Sequence, residues 1–481
     1  MSATMPSGTV PASENRAPVS GRFALVRGEL EHHLYLPEAQ ELYTIPANIQ
    51  QELQAYVYDN FDDNLPDAKT DAPEVRSFFE TFARRNAPPS RPASSQAPGI
   101  RDLVLNISQI CNLGCTYCYA DELNKAGRTM LPETCRAAID KAYDLSSNGL
   151  SSIKFLGGEP TLAFREICST VDYVRHKCRS SAYALPSFVI VTNGTKLTDQ
   201  MIDFFVEHNF YVLVSLDGPK HVHDKLRPFL GGRGSYDSVL SAISRFHEKD
   251  FRVAVESVYT QTHYDNGVTV EGLVNHLLDL GLREMQVTLA LGAWHGENAR
   301  EQIAEVANSF ASAARACIRS FSSDDPHLLR GIQFVIDGFF NRHKNEHVCG
   351  AGRTFMAVNF DGEAFPCYLL ESPETSYGFV NGAWSDEKYR KISSSFYRNG
   401  KAYHDVCGKC WANEICQSCL GSTYLLEKKV AKPPAWFCAV QKTMIAAVLG
   451  EIGDKLSDDD RRHFIAGLEK VLSPRTFEKR Q

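Results

Sequence analysis

Residues 111–118 read Cys-Asn-Leu-Gly-Cys-Thr-Tyr-Cys, and they follow a short, mostly apolar run at Leu103–Ile107. The run has the length and composition of a buried β-strand, so the three cysteines come just after the end of a strand. Three thiolates can hold three irons of a 4Fe–4S cluster and leave the fourth iron open, whereas cluster cysteines normally come in fours. The triplet therefore indicates a reactive cluster; by spacing alone, a zinc site lacking one ligand and three buried thiols remain as alternatives.

Apolar runs and amphipathic stretches alternate from residue 101 onward. Strands are predicted at 103–107, 153–156, 188–191, 212–216, 253–258 and 285–289. Helices are predicted at 132–146, 163–178, 198–208, 235–249, 270–280 and 299–322. Short buried strands that alternate with helices imply a parallel sheet, so six units predict an α/β fold, a partial (β/α)6 TIM-like barrel. The chemistry of such a barrel belongs at the C-terminal ends of its strands, where the cysteine triplet lies.

Composition narrows the class of protein. A hydrophobic fraction of 43% and a charged fraction of 23% are typical of a globular protein, and the net charge of −7 argues against nucleic acid as the main partner. No apolar run reaches the ~18 residues of a membrane span, and the first twenty residues do not form a secretory signal. We therefore expect a cytoplasmic protein without a membrane partner. In that reducing compartment, fourteen cysteines indicate metal binding or catalysis rather than disulfides.

The 481 residues exceed one ordinary domain, so several units are expected. In chain order we predict a disordered tail at 1–20, a small N-terminal unit at 21–85, a Pro- and Ser-rich linker at 86–100, the barrel at 101–325, a loop-rich cysteine domain at 326–450 and a C-terminal helical tail at 451–481. Within the N-terminal unit, three short strands at 23–26, 33–36 and 41–45 precede helices at 49–58 and 73–85. The cysteine domain has few long apolar runs, so bound metal should supply part of its stability.

Glycines and polar residues follow the next three predicted strands. They are Gly157-Gly158-Glu159-Pro160, then Thr192-Asn193-Gly194, then Ser215-Leu216-Asp217-Gly218-Pro219, with Arg227 nearby. Because parallel strands end at one edge, these groups should meet near the cysteine triplet. On its own, the glycine pair is more typical of an ordinary turn than of a ligand site.

The cysteine triplet and the three groups at the strand ends, taken in this order, resemble the motifs of the radical S-adenosylmethionine (SAM) superfamily over residues 101–290. The resemblance implies that SAM binds the open iron through its amino and carboxylate groups, and that its cleavage yields a 5′-deoxyadenosyl radical. Gly158 and Glu159 would receive the ammonium group of SAM, and Ser215 and Arg227 would contact its ribose or carboxylate. The full set of implied cofactor contacts is Tyr117, Gly157, Gly158, Glu159, Pro160, Thr192, Asn193, Ser215, Asp217 and Arg227.

A second group of seven cysteines lies between residues 349 and 438. By spacing alone it fits a zinc ribbon equally well. Behind a radical SAM barrel it resembles a SPASM domain, which implies two auxiliary 4Fe–4S clusters and three clusters in total. The outer one would use Cys407, Cys410, Cys416 and Cys438, and the inner one Cys349, Cys367 and Cys419. Because no cysteine lies between Cys349 and Cys367, the inner cluster is expected to keep an open iron, which could hold a substrate thiolate, or to take a non-cysteine ligand.

The resemblance also implies a reaction class, because SPASM enzymes mostly modify peptides and proteins. The sulfatase-maturing branch carries Asp directly after the cysteine that corresponds to Cys367, and this chain has Tyr368 there. The N-terminal unit resembles a winged-helix element that captures leader peptides, although a plain cap on the barrel is equally compatible. In its length, its N-terminal unit and its cysteine-rich tail, this chain looks most like the maturases of quinohemoprotein amine dehydrogenase.

We therefore expect an enzyme that installs thioether cross-links, from Cys sulfur to a carbon of an acidic or other residue, in a ribosomal peptide or small protein subunit. The alternatives are a maturase that forms carbon–carbon cyclophane links and a non-enzymatic zinc-ribbon scaffold. Expected partners are a precursor with a leader segment and an electron donor such as flavodoxin or ferredoxin. The general base is not identified; the candidates are Asp361, Glu363 and Glu371, which lie near the inner cysteines in sequence.

Overall fold

The structure is a computed structural model. It describes residues 24–37, 39–45, 99–122, 124, 127–290, 294, 299–401, 404–428, 433–457 and 461–472. The predicted tail at 1–20, the predicted helices at 49–58 and 73–85 and nearly all of the linker lie outside the described residues.

Six parallel strands form the centre of the molecule and confirm the predicted α/β fold. They are β4 (Asp102–Ser108), β5 (Ser152–Gly157), β6 (Ser187–Thr192), β7 (Tyr211–Ser215), β8 (Ala254–Tyr259) and β9 (Glu284–Leu289). Each strand begins and ends within one residue of its predicted position. The prediction succeeds because every strand is a short apolar run bounded by turn residues.

Helices connect these strands. They are α1 (Pro132–Asp144), α2 (Phe164–Arg179), α3 (Asp199–Glu207), α4 (Lys220–Leu226), α5 (Tyr236–His247), α6 (Gln261–Asp265), α7 (Val270–Asp279) and α8 (Ala299–Ser320). The six predicted helices are confirmed. The sequence analysis missed α4 and α6, which are too short to show a helical period in the sequence.

The two faces of the parallel strands differ in character. Leu103, Ile153 and Val255 belong to the hydrophobic core between sheet and helices. Because side chains alternate along a strand, Asn106, Lys154 and Glu256 point to the opposite, concave face. A partial barrel with a polar interior results, and we call the space inside it the lumen.

The C-terminal region continues the same sheet instead of forming a separate one. Strand β10 (Leu328–Leu329) pairs with β9 at one edge, and β11 (Phe355–Val358) pairs in parallel with β4 at the other. Strands β12 (Glu363–Phe365) and β13 (Gly378–Phe379) follow β11, so the sheet order is β10-β9-β8-β7-β6-β5-β4-β11-β12-β13. The predicted boundary after residue 325 is therefore not a boundary of the sheet.

Among the described residues, six α-helices belong to the C-terminal region. They are α9 (Gln333–Asn341), α10 (Asp386–Arg398), α11 (Asp405–Lys409), α12 (Leu420–Glu427), α13 (Ala435–Ser457) and α14 (Arg461–Leu472). Helix α13 runs through the boundary that we predicted at residue 450, because its apolar face is buried without interruption from Ala439 to Ile452.

Helix α13 is also long and apolar enough, by length and composition, to cross a membrane. Most of that apolar stretch is buried inside the molecule, where α13 packs against α8 and β1. Lys442, Glu451 and Asp454 lie on the helix and are buried too. These features are those of a core helix.

A three-stranded antiparallel sheet, β1 (Ala24–Arg27), β2 (His32–Leu36) and β3 (Glu41–Thr44), packs on α13. The carboxylate of Asp454 accepts hydrogen bonds from His33 Nε2 at 2.9 Å, Leu30 N at 2.9 Å and Glu31 N at 3.2 Å. Close approach is possible because Gly450 has no side chain; a Cβ there would lie 2.4 Å from the carbonyl oxygen of Arg27. The predicted N-terminal strands are thus confirmed, and they lie beside the C-terminal part of α13.

Candidate active site

The cysteine triplet lies in the loop that follows β4. Gly114 N donates to Pro228 O at 2.8 Å and Thr116 N donates to Leu226 O at 2.9 Å, so the loop is fixed to the end of α4. Cys111, Cys115 and Cys118 are half-buried and free of disulfides. Burial raises the pKa of Cys115 to about 11, and the thiols of Cys111 and Cys118 are close enough to add to that rise. Three thiols on one loop are the donor set that a 4Fe–4S cluster with an open iron needs.

The glycine pair at the end of β5 allows this strand to pack closely against the segment that follows β4. Gly157 has φ +138°, and a Cβ there would lie 2.2 Å from Ser108 O. A Cβ at Gly158 would lie 2.5 Å from Ile110 O. Gly158 N donates to Ser108 O at 2.7 Å, so β5 ends in direct contact with the loop that carries Cys111.

Glu159 has a different role from the one expected of its side chain. The carboxylate is fully buried; Oε1 accepts from the backbone and hydroxyl of Thr161 and from Thr192 Oγ1, and Oε2 accepts from Asn193 N at 2.7 Å. Four donors occupy it, so it joins the ends of β5 and β6 instead of offering an acceptor to an ammonium group. Pro160 begins the short 3₁₀ helix that positions Thr161.

Asn193 connects the end of β6 to the cysteine loop. Its Nδ2 donates to Asn112 Oδ1 at 3.0 Å and lies 3.9 Å from Cys111 Sγ. Its Oδ1 accepts from Thr195 N and Thr195 Oγ1. The thiol of Cys111 is therefore held by a side chain that follows β6, two strands away from β4 in the sheet.

Tyr117, Asp217 and Arg227 form a buried cluster behind the triplet. Tyr117 OH donates to Asp217 Oδ2 at 2.5 Å, Arg227 donates to Tyr117 OH, and Arg227 Nη1 lies 3.7 Å from Asp217 Oδ2. Burial alone lowers the pKa of Arg227, but Tyr117, Cys115 and Asp217 around it raise its pKa well above the usual range. Nε of Arg227 is buried without a hydrogen-bond partner among the described residues. A cation with a spare donor beside Cys115 fits an anionic cluster and the carboxylate of a bound ligand. Ser215, the other expected contact, ends β7 two residues before Asp217.

The lumen contains charged residues that the sequence analysis missed. Lys154 lies on β5 and Glu256 on β8; burial lowers the pKa of Lys154 and raises the pKa of Glu256. Each influences the pKa of the other, so they face the same space. Tyr119, one residue after Cys118, contacts Tyr368 with 6.4 Å between ring centroids. The sequence does carry a signal, because Lys154 and Glu256 are charged residues in the middle of strands whose neighbouring residues are buried.

Cys349, Cys367 and Cys419 form the second group of thiols. Burial raises the pKa of Cys367, and Cys419 and Cys349 add to that rise, so the three lie near one another. Lys154 acts on the pKa of Cys367 in the opposite direction, which places this group beside the lumen. Ser422 N lies 3.3 Å from Cys419 Sγ and donates to it.

The remaining four cysteines line one cavity away from the lumen, together with two buried lysines. The cavity contains Cys407, Cys410, Cys416 and Cys438 and is flanked by Lys401 and Lys442. Lys401 Nζ donates to Asn413 O at 2.7 Å and to Cys416 O at 2.6 Å. Among the described residues, no three Cys, His, Asp or Glu side chains converge closely enough to bind a single metal ion.

Several known proteins are similar to this chain in sequence or in fold. Residues 105–280 match the Radical SAM superfamily. An uncharacterized protein of Methanocaldococcus jannaschii is 29% identical over 191 residues, which are 40% of this chain and 63% of that protein. A cysteine-type anaerobic sulfatase-maturating enzyme of Clostridium novyi is 31% identical over 336 residues, which are 66% of this chain and 86% of that enzyme. The chain belongs to the radical SAM superfamily.

A solved structure of a radical SAM protein agrees in fold. Native anSMEcpe with bound AdoMet and the Cp18Cys peptide is 17% identical and covers 78% of this chain and 100% of that chain, with a TM-score of 0.61. This chain is therefore a radical SAM enzyme that uses SAM and a 4Fe–4S cluster. The alternative of a non-enzymatic zinc-ribbon scaffold is excluded, because the chain is an enzyme.

The three candidates for the general base differ in their position relative to the lumen. Asp361 is exposed in the turn between β11 and β12, where it accepts from Glu363 N. Glu363 accepts from Ser376 Oγ at 2.5 Å. Only Glu371 reaches the lumen, where it accepts from Asn106 Nδ2 at 3.2 Å, and burial raises its pKa. The first two are therefore poor candidates by position.

Proposed function

We propose that this radical SAM maturase installs thioether cross-links between a Cys sulfur and a carbon of an acidic or other residue in a ribosomal peptide or small protein subunit. The observation that carries the proposal is the group Cys349, Cys367 and Cys419 beside the lumen. Three thiols would leave one iron of an inner cluster open, and that iron would face the space where the substrate enters. A substrate thiolate bound there would be held next to the reacting carbon.

Some of the expected cofactor contacts would bind SAM directly, and others hold those residues in position. When bound, SAM and its cluster supply a 5′-deoxyadenosyl radical that removes a hydrogen atom from the substrate. Arg227, with its spare Nε donor, would bind the SAM carboxylate, and Gly158 would receive the ammonium group through its backbone. Tyr117, Asp217, Thr192 and Asn193 hold the loop and Arg227 in place.

We further propose three 4Fe–4S clusters: one on Cys111, Cys115 and Cys118, an inner one on Cys349, Cys367 and Cys419, and an outer one on Cys407, Cys410, Cys416 and Cys438. Support comes from the way the cysteines group in space, and from the positive charge of Lys401 and Lys442 beside the outer set. An external reductant such as flavodoxin or ferredoxin would supply electrons in the cytoplasm.

For the substrate we propose a precursor whose leader segment binds the N-terminal sheet. Strand addition to a small sheet such as β1-β2-β3 is one way in which a domain captures an extended peptide. The peptide-bound structure of anSMEcpe shows a peptide on a protein of this fold. In the domain arrangement we propose, this unit, the barrel and the cysteine region pack as one body.

An anaerobic reaction with SAM, reductant and the precursor encoded beside the gene tests the proposal. The expected product is two hydrogens lighter for each link and has no free thiol at the modified Cys. A product that is lighter but retains its free thiol supports a carbon–carbon link instead. Loss of the sulfur with formation of an aldehyde would indicate the chemistry of the sulfatase-maturing branch, against which Tyr368 argues.

A further inference from the structure

Two opposite charges face each other in the lumen without touching. Lys154 extends from β5, where its neighbours Ile153 and Phe155 are in the hydrophobic core, and Glu256 extends from β8 between Val255 and Ser257, which are buried on the other face. Register pairs Lys154 with Val104 and Val189, and Glu256 with Ser215 and Gln286. Three strand positions in the sheet order separate β5 from β8, so the side chains meet only across the lumen.

Neither side chain has a hydrogen bond or an ion pair within the described residues. The other charged lumen residues near them are engaged. Arg227 bonds Tyr117, Glu371 bonds Asn106, and Arg330 bonds Glu284 at 2.6 Å. Lys154 and Glu256 each shift the pKa of the other, yet no nitrogen–oxygen distance between them is within 4.0 Å. A gap lined by a cation and an anion remains.

This gap lies between the two cysteine groups that face the lumen. Lys154 is close enough to Cys367 to influence the pKa of its thiol. Glu256 has the same relation to Tyr119, which directly follows Cys118, and to Tyr368. A peptide segment in the gap would therefore sit between the radical-forming cysteines and the inner group.

Desolvated charges without partners are costly, and a ligand of complementary charge removes that cost. The ammonium form of Lys154 donates hydrogen bonds and suits a carboxylate, while the carboxylate form of Glu256 accepts them and suits an N–H group. An acidic residue within a peptide offers both groups a few ångströms apart. No cofactor contact proposed above uses either residue.

We propose that Lys154 and Glu256 bind the substrate segment that is modified, with Lys154 on the carboxylate of an acidic side chain and Glu256 on a backbone N–H of the same segment. This inference rests on the proposed function, because it assumes a peptide substrate. It makes Lys154 a specificity-determining residue that selects an acidic side chain at the reacting position.

A binding cycle with two peptides and three enzymes tests the inference. The probes are a fluorescent synthetic core peptide from the adjacent precursor and the same peptide with Asp→Asn at the acidic position. The wild-type enzyme, with SAM bound under anaerobic conditions, should bind the Asp peptide about tenfold or more tightly than the Asn peptide, since a charge-assisted hydrogen bond is lost. Lys154→Gln should bind both equally, because the two changes remove one interaction. Glu256→Gln should weaken both peptides alike.

Lys249→Gln is the matched control, because Lys249 is an exposed lysine paired with Asp203 on the outer surface. It should retain the full preference for Asp. The iron content and the far-UV circular dichroism spectrum of Lys154→Gln should match those of the wild type, which shows that the variant is folded and loaded. Equal binding of both peptides to wild type, or a preference that persists in Lys154→Gln, overturns the inference. Failure of the proposed thioether would be seen separately, in the mass and thiol content of the wild-type product.

Discussion

The hydroxyl of Tyr117 lies 2.5 Å from the carboxylate of Asp217, and this hydrogen bond joins the cysteine loop to the end of β7. Asp217 Oδ1 also accepts from Val258 N at 2.9 Å, so one carboxylate connects the loop to two neighbouring strands. The position of the triplet relative to the barrel therefore depends on a contact between residues 100 positions apart.

Tyr117→Phe should loosen this connection while it keeps the ring. Asp217 Oδ2 and Arg227 would each lose a hydrogen bond in a buried site, which costs about 1–3 kcal/mol. We expect a lower midpoint in chemical denaturation and a higher Kd for SAM, measured by equilibrium dialysis. Tyr173→Phe is the control, since Tyr173 donates to Asp140 far from the loop; an equal effect of both substitutions on SAM binding would contradict this role of Tyr117.

Substitutions in the two cysteine groups near the lumen should have different effects on activity. Cys115→Ala should abolish SAM cleavage, whereas Cys367→Ala should leave some cleavage but lose the cross-linked product. Chromatography of 5′-deoxyadenosine and mass spectrometry of the peptide separate these outcomes. Cys168→Ala, on α2 and outside all three groups, should retain both activities. Product formation by Cys367→Ala would remove the basis for an inner site that binds the substrate thiolate.

The sequence predicts the fold better than it predicts the roles of individual side chains. The predicted bounds of the strands and helices agree with the structure because the pattern of apolar residues within each strand and helix is visible in the local sequence. The role of Glu159 was misread because its partners Thr192 and Asn193 lie on the next strand, and only the folded sheet brings them together. Lys154 and Glu256 were visible in the sequence as charges inside buried strands, but nothing local shows that they share one space.

Acid should weaken the site through His223. This buried imidazole accepts from Asp217 N on Nδ1 and donates from Nε2 to Ser235 Oγ, which itself donates to Arg227 O. Burial lowers the pKa of His223 from 6.5 to about 4, so the unfolded chain binds a proton first as the pH falls. Stability is therefore complete above about pH 6.5 and decreases by up to about 3 kcal/mol towards pH 4.

Denaturant unfolding at several pH values checks this dependence. His223→Gln, which keeps a donor and an acceptor but does not titrate, should lose less stability between pH 6.5 and pH 4 than the wild type. Identical slopes for the two proteins would show that other groups account for the acid sensitivity.

Asp454 should hold the N-terminal sheet in place. Asp454→Ala leaves His33 and two partly buried backbone N–H groups without their acceptor, and a buried donor such as His33 Nε2 without a partner costs about 1–3 kcal/mol. We expect limited proteolysis to release the N-terminal segment faster, while the barrel retains its helical circular dichroism. Asp454→Asn, which keeps one acceptor oxygen, should lie between wild type and Asp454→Ala. No sequence pattern could predict this pair, since 421 positions separate His33 from Asp454.

Lys401 should set the redox behaviour of the outer cysteine group. A buried ammonium beside four thiolates favours the more negative, reduced state of a cluster. Lys401→Met should therefore shift the midpoint potential of one cluster to a more negative value in an anaerobic titration followed by electron paramagnetic resonance. Lys388→Met, at an exposed position on α10, should leave all potentials unchanged. If Lys401→Met does not bind iron fully, Lys442→Met provides the same test.

The parallel pairing of β11 with β4 restricts how this enzyme can be divided. The register from Phe355↔Asp102 to Val358↔Leu105 covers the hydrogen-bonding edge of the first barrel strand. A fragment that ends before β11 would expose this apolar edge, and exposed edges pair with other chains and aggregate. Expression of the barrel alone should therefore give insoluble material. The strand that covers the edge of the radical-forming barrel also leads into the cysteine-rich region, so the two parts cannot be separated without exposing that edge.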